Sequence, residues 1–222
     1  DAKTKLIKGK FSLNKKNILL LILLLNAVLF AGSSENIHFW QATKFNKTLS
    51  DKFAMSLEQD LRTESSLFYA HSDIGFKYKI NTKFTLNINF REVFEKKDGI
   101  WVSEHRPHGT ISTKMKLGNF NISARSRIEY RLKQNKDAIF RNRDMITLKS
   151  GREFTSLKLI PYIADEVFYD FEKKELNRNR AYIGFSIKSF QSFSPTVYLM
   201  KQSNYKENTW SSFIAMGIKI NF

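Results

Sequence analysis

The chain has 222 residues and no cysteine, which suits a single folded unit and excludes disulfide frameworks, thiolate metal sites and cysteine nucleophiles. Its formal charge of +16 is of the size that often accompanies binding to nucleic acid or anionic surfaces. The lysines and arginines, however, are spread at alternate positions rather than gathered in one arm, so the charge is expected to line a face of the fold and not a nucleic-acid contact.

Residues 1–33 differ sharply from the remainder. Lys3, Lys5, Lys8, Lys10, Lys15 and Lys16 lead into an apolar run from Ile18 to Phe30, followed by Ala31-Gly32-Ser33. The run is shorter than the roughly 20 residues a helix needs to cross a bilayer, and small residues follow it where a signal peptidase would cut. A cleaved secretory signal over residues 1–33 is expected, with cleavage near Ala31 to Ser34, and a mature domain over residues 34–222. An uncleaved N-terminal anchor is the alternative. The chain stays strongly basic after the leader is set aside.

Beyond Phe30 the dominant pattern has period two, the repeat of a strand with unlike faces. In Lys52 to Arg62 one face carries Phe53, Met55, Leu57, Gln59 and Leu61, and the other Ala54, Ser56, Glu58, Asp60 and Arg62. From Phe120 to Leu132 the apolar set Phe120, Ile122, Ile128, Tyr130 and Leu132 alternates with Arg125, Arg127, Glu129 and Arg131. Similar windows run over Ile37 to Leu49, Leu67 to Ile80, Phe84 to Phe94, Trp101 to Leu117, Phe140 to Lys149, Ser156 to Phe171, Arg178 to Ile187, Pro195 to Gln202 and Ser211 to Phe222. Many are ten residues or longer, whereas a soluble strand averages about 5–6 and a tilted membrane-crossing strand needs about 9–11. The expected fold class is therefore all-β: an antiparallel up-and-down transmembrane β-barrel of about 10–12 strands, set in the outer membrane.

Two features of the connections refine this expectation. Short turns such as Leu117-Gly118-Asn119 follow the odd windows, and longer polar stretches (Glu95 to Gly99, Lys133 to Asp137, Glu172 to Asn177, Ser203 to Asn208) follow the even ones, as periplasmic turns and outer loops do. Eleven windows sit badly with the even counts usual in such barrels, so one missed or merged strand is expected, for a total of ten or twelve. In the last window Ile214, Met216, Ile218, Ile220 and Phe222 occupy every second position to the end of the sequence. This resembles the terminal strand that outer-membrane barrels present to their assembly machinery.

The chain from Ile37 to Phe222 resembles the uncharacterised bacterial family catalogued as domain of unknown function 2490, whose members look like small outer-membrane barrels. The likeness is carried by Trp40, Glu58-Gln59-Asp60-Leu61-Arg62, Tyr69 with His71, Asp73 and Gly75, and Arg106-Pro107-His108. Further along it rests on Ser126-Arg127-Ile128-Glu129-Tyr130-Arg131, Arg141-Asn142-Arg143, Pro161-Tyr162 with Glu166, and Arg178 and Arg180 before Gly184. The resemblance implies a fold and a location, and carries no catalytic assignment.

If the apolar set faces lipid, Arg62, Arg91, Arg106, Arg125, Arg127, Arg131, Arg143, Arg178 and Arg180 face the lumen with Glu58, Asp60, Asp73, Glu92, Glu129, Glu166 and Asp170. Such an interior can be a network of paired charges that fills the lumen, or a narrow pore whose surplus positive charge favours anions. Aromatic residues near strand ends, namely Trp40, Tyr69, Tyr130, Tyr162, Tyr169, Tyr198 and Trp210, suit an interface girdle. Outer-membrane lipids and lipopolysaccharide are the expected partners, together with the assembly machinery at the C-terminal strand; no cofactor, metal or nucleic acid is expected.

Two other function classes remain. A lipid-modifying enzyme needs a nucleophile beside a base. His71-Ser72-Asp73 has the right residue types, but strand neighbours point to opposite faces, while His108 and Ser112 share a face about 13 Å apart along a strand. A soluble periplasmic barrel that binds a ligand would bury the apolar face and leave the charged one in water. Periodicity does not separate that arrangement from its inverse.

Overall fold

A computed structural model describes residues 37–222 except 135, 189 and 191; the expected leader lies outside these residues. The period-two segments form eleven strands. They are β1 (Ile37–Thr48), β2 (Phe53–Thr63), β3 (Leu67–Lys79), β4 (Phe84–Lys97), β5 (Ile100–Leu117), β6 (Phe120–Lys133), β7 (Ile139–Ser150), β8 (Leu159–Asp170), β9 (Glu175–Ile187), β10 (Ser194–Lys206) and β11 (Thr209–Asn221). Each strand pairs with its sequence neighbours, and β1 with β11, so the sheet closes into a barrel. Closure gives every strand two partners and removes the open edges.

Ten of these pairings are antiparallel, but β1 and β11 run parallel, from Ile37 opposite Ile214 to Lys44 opposite Asn221. The reason is parity, because directions cannot alternate all the way around a ring of odd number. The expectation of a further strand, for ten or twelve, thus gives way to eleven with one parallel seam. The seam is fastened at its end by backbone bonds from Phe222 N to Lys44 O (2.8 Å) and from Asn46 N to Phe222 O (3.0 Å). Beside it Phe222 stacks on Phe45 (4.9 Å between centroids) and lies near Phe193 (5.8 Å), which stacks on Phe190.

The rim that bears Phe222 is here termed the lower rim. The expected contrast between short lower turns and long upper loops does not hold. Glu95 to Gly99 and Ser203 to Asn208 are mostly strand: β4 and β10 continue to Lys97 and Lys206 and reverse over Asp98-Gly99 and Glu207-Asn208. These pairs adopt positive φ at both positions (49° and 82°, 52° and 59°), the two-residue geometry that matches strand twist. The longest connections, residues 151–158 and 188–193, lie instead at the lower rim. At these two places polar composition marks strand ends and not loops, because both the solvent-exposed ends and the inward face of a barrel accept polar side chains; Lys133 to Asp137 and the start of Glu172 to Asn177 do fall between strands, β6 ending at Lys133 and β9 beginning at Glu175.

The faces are ordered opposite to those of a soluble barrel. Ile88, Ile146 and Ile183 stand outward and more than 60% exposed, whereas Glu129 and Glu166 are wholly buried. The apolar face of each repeat therefore surrounds the barrel in rows, for example Leu57, Ile74 and Phe90 across β2 to β4. Parts of the outward face are polar, Ser126 and Asp144 on β6 and β7 among them. Gln59, Ser72, Glu92 and His105 pair in register across β2 to β5, and His105 Nδ1 lies 2.5 Å from a Glu92 carboxylate oxygen. Glu92 thus belongs to the outer face and not to the lumen, since it has the parity of Phe90 and Phe94.

Inside, Tyr198 is flanked in register by Gly184 on one side and Gly217 on the other. A Cβ on Gly184 would stand 2.3 Å from the backbone oxygen of Val197, which cannot swing aside. Gly184→Val is expected to lower stability by about 1–3 kcal/mol, read from urea unfolding in detergent micelles. A wild-type midpoint would show that the sheet yields at this point.

Candidate functional site

Barrel strands place every second side chain on the axis, so residues distant in sequence meet there if their heights agree. The interior carries ten arginines: Arg62, Arg91, Arg106, Arg125, Arg127, Arg131, Arg141, Arg143, Arg178 and Arg180 all line its cavities. Burial of so many cations is tolerable only with partners, and six carboxylates supply them in three groups.

The first group lies on the β1 to β5 wall. Glu58 accepts from Lys219 at 2.6 Å, with Lys44 at 3.7 Å, His71 at 3.6 Å and Arg91 at 3.8 Å around it. Asp73 binds Arg91 Nε and His108 Nε2, each at 2.8 Å, and Asn89 at 2.6 Å. Asp60 holds Arg62 at 2.8 Å. On the opposite wall Glu129 accepts from Arg141 and from Arg143 (2.7 Å), with Arg127 at 3.7 Å. Glu166 accepts from Arg143 (2.8 Å) and Arg125 (2.6 Å), and Arg180 stands 3.6 Å away. The third group is higher, where Glu104 takes bonds from Arg106 (2.8 Å) and Arg131 (2.7 Å). Arg178 differs. Its Nε donates to Asn204 at 2.7 Å, and no carboxylate lies within 4 Å of it among the described residues. Asp170, also inward, binds the backbone N–H groups of Glu172 and Lys173 and the side chain of Asn177, and so organises the β8–β9 turn.

Aromatic side chains are built into the same layer. The Arg62 guanidinium lies between Trp40 (3.7 Å) and Tyr69 (4.1 Å). Phe168 is wholly buried and has Arg143, Arg180, Arg141 and Arg178 around its ring at 4.6 to 5.5 Å. A ring face attracts a cation and offers a flat surface to a guanidinium, so these rings hold apart arginines that would otherwise repel. This corrects the girdle reading. Trp40, Tyr69, Tyr162 and Tyr198 line the interior cavities, while Tyr130, Tyr169 and Trp210 have outward parity. Each inward ring has the parity of a charged neighbour (Trp40 with Lys44, Tyr69 with His71 and Asp73), which is the signal that locates it.

Glu104, Lys44 and Lys219 join the network although the charge pattern does not single them out, and Arg141 joins it as its alternation with Arg143 on one barrel face implies. All four have the parity of a residue that was singled out or of an inward ring. Of the segment His71-Ser72-Asp73, His71 and Asp73 are buried inside and Ser72 is exposed on the outer face. His108 meets Asp73 across strands, and no hydroxyl bonds to that pair among the described residues. Ile214, Met216, Ile218, Ile220 and Phe222 share the outer parity of β11, and Ile220 is covered there.

The interior holds two cavities of about 330 and 260 Å3, toward the upper and the lower rim. Trp40, Arg62, Arg91, Arg143 and Arg180 line both and thus form the layer between them. Among the described residues, ten lysines and arginines and a single carboxylate, Glu95, line the upper cavity.

The family described as "Protein of unknown function (DUF2490)" matches residues 37–212. No curated protein matches the chain. Solved structures that resemble it in shape include two porins. One, "NanC porin structure in rhombohedral crystal form", has 9% identity and a TM-score of 0.49 over 83% of this chain and 98% of that one. The other, "Anion-selective porin from Comamonas acidovorans", has 8% identity and a TM-score of 0.40 over 78% of this chain and 54% of that one.

Proposed function

This chain belongs to the DUF2490 family, and on that premise we propose an outer-membrane barrel whose arginine-rich interior is a narrow, anion-favouring passage. The membrane setting is supported by strands of 11 to 18 residues and by an outward face of large apolar side chains that water would not tolerate. In this reading residues 1–33 are the export signal, the outer face meets lipid and lipopolysaccharide, and β11 is the segment offered to the assembly machinery.

The observation that carries the passage is the charge balance: among the described residues nine of the ten interior arginines share six carboxylates in their ion pairs, and the tenth, Arg178, has none. A surplus of fixed positive charge in a confined space lowers the energy of a passing anion and raises that of a cation. The layer of Trp40, Arg62, Arg91, Arg143 and Arg180 then acts as the constriction. Purified protein in planar bilayers under a KCl gradient is expected to give small conductance steps and a reversal potential of the sign set by chloride. A silent membrane, or a reversal potential set by potassium, overturns the reading.

A further inference from the structure

Every lysine and arginine that lines the lower cavity has a carboxylate within 4 Å, but the upper cavity keeps cations that no carboxylate engages. Arg178 and Lys133 both line it, and neither has a carboxylate within 4 Å among the described residues. The cavity has a floor, formed where Trp40 and Arg62 stack beneath it, and a wall ring, Phe168, against which Arg178 rests at 5.5 Å. At its edge His38 stacks on Phe213 at 4.0 Å and meets Phe68 edge-on at 5.4 Å. The space, about 330 Å3, is near the lower end of the ~300–1,000 Å3 typical of small-ligand sites.

A guanidinium whose neighbours are other cations is repelled from every side except one that brings negative charge. From this we propose that the upper cavity is a saturable binding site for a small polyvalent oxyanion, a phosphate or an organic di- or tricarboxylate, held by Arg178 and Lys133. Two unengaged cations on one cavity favour an ion with two or more charges over chloride, and the planar fork of Arg178 suits an oxygen pair. Arg180 and Arg131, already bonded to Gln202 and to Glu104, border the site and add field without having to release their partners. The inference rests on the passage reading, since the oxyanion has to enter a hydrated interior. It adds a site that holds the ion on its way.

Trp40 in the floor reports on the site. The chain has three tryptophans, and the other two, Trp101 and Trp210, are exposed, so a Trp101→Phe/Trp210→Phe variant leaves Trp40 as the sole emitter. Titration of this variant in detergent micelles with inorganic pyrophosphate, at constant ionic strength held by KCl, is expected to give a saturable change in emission; KCl alone gives none. Arg178→Gln is expected to weaken pyrophosphate binding at least tenfold and Lys133→Gln several-fold, while Arg152→Gln, in the lower connection, leaves it unchanged. Heat-modifiability on gels reports barrel closure for each variant, and Lys133→Gln carries the test if Arg178→Gln fails to fold. A linear, unsaturable response, or equal affinity in the Arg178 and Arg152 variants, overturns the site. If that happens while bilayers still show anion preference, the passage stands without the site. Saturable binding with cation preference would instead retain the site and sink the passage.

Discussion

Replacing Glu166 with glutamine is expected to destabilise the folded barrel by about 3–5 kcal/mol, the loss seen when one member of a buried ion-pair network is removed. Glu166 is wholly buried and faces Arg143, Arg125 and Arg180 within 4 Å. The amide keeps the shape and one acceptor but no charge, so three guanidinium groups would share a space with no counter-charge of that wall except Glu129, which already serves Arg141, Arg143 and Arg127. Urea unfolding in lipid vesicles, followed by tryptophan emission and by gel shift, measures the loss. Glu153→Gln is the matched control, because its pair with Lys188 is exposed on both sides and such pairs contribute roughly 0–1 kcal/mol. Equal midpoints for the two variants would show that the interior is hydrated enough to replace the carboxylate with water.

The second large effect is on conduction. Trp40 is 4% exposed, lies against Arg62 and within 4.9 Å of Arg180, and borders both cavities. Trp40→Ala removes the ring on which Arg62 stacks and joins the cavities. Single-channel conductance is expected to rise several-fold, accompanied by a stability loss of about 3–5 kcal/mol from the truncated aromatic. Trp40→Phe, which keeps a ring face for Arg62, is expected to stay near the wild-type conductance. If Trp40→Ala conducts no better than wild type, ions do not cross this layer and the constriction lies elsewhere.

Much of this architecture was legible before any coordinate. Period two located all eleven strands to within a few residues at most ends, and it grouped Arg125, Arg127, Glu129 and Arg131 on one face of β6. It did so because backbone pleating alone sends alternate side chains to opposite sides. The same local rule fails at Glu95 to Gly99, where polarity points to a loop and the chain continues as strand to Lys97. A strand end and an inward face both accept charge, so composition does not tell them apart. It fails again for the aromatics. Trp40 and Tyr162 near strand ends matched an interface girdle, but their parity, not their position along the strand, directs them inward.

Length, alternation and the absence of cysteine by themselves determined that this protein is a chain of long two-faced strands. They also determined which residues must travel together on a face. Only the closed tertiary structure decided which face is interior, that an odd ring joins β1 to β11 in parallel, and which acid meets which base. The physical reason is that parity is a property of one strand, whereas the height at which Glu166 meets Arg125, or His108 meets Asp73, is set by the stagger accumulated around the whole ring.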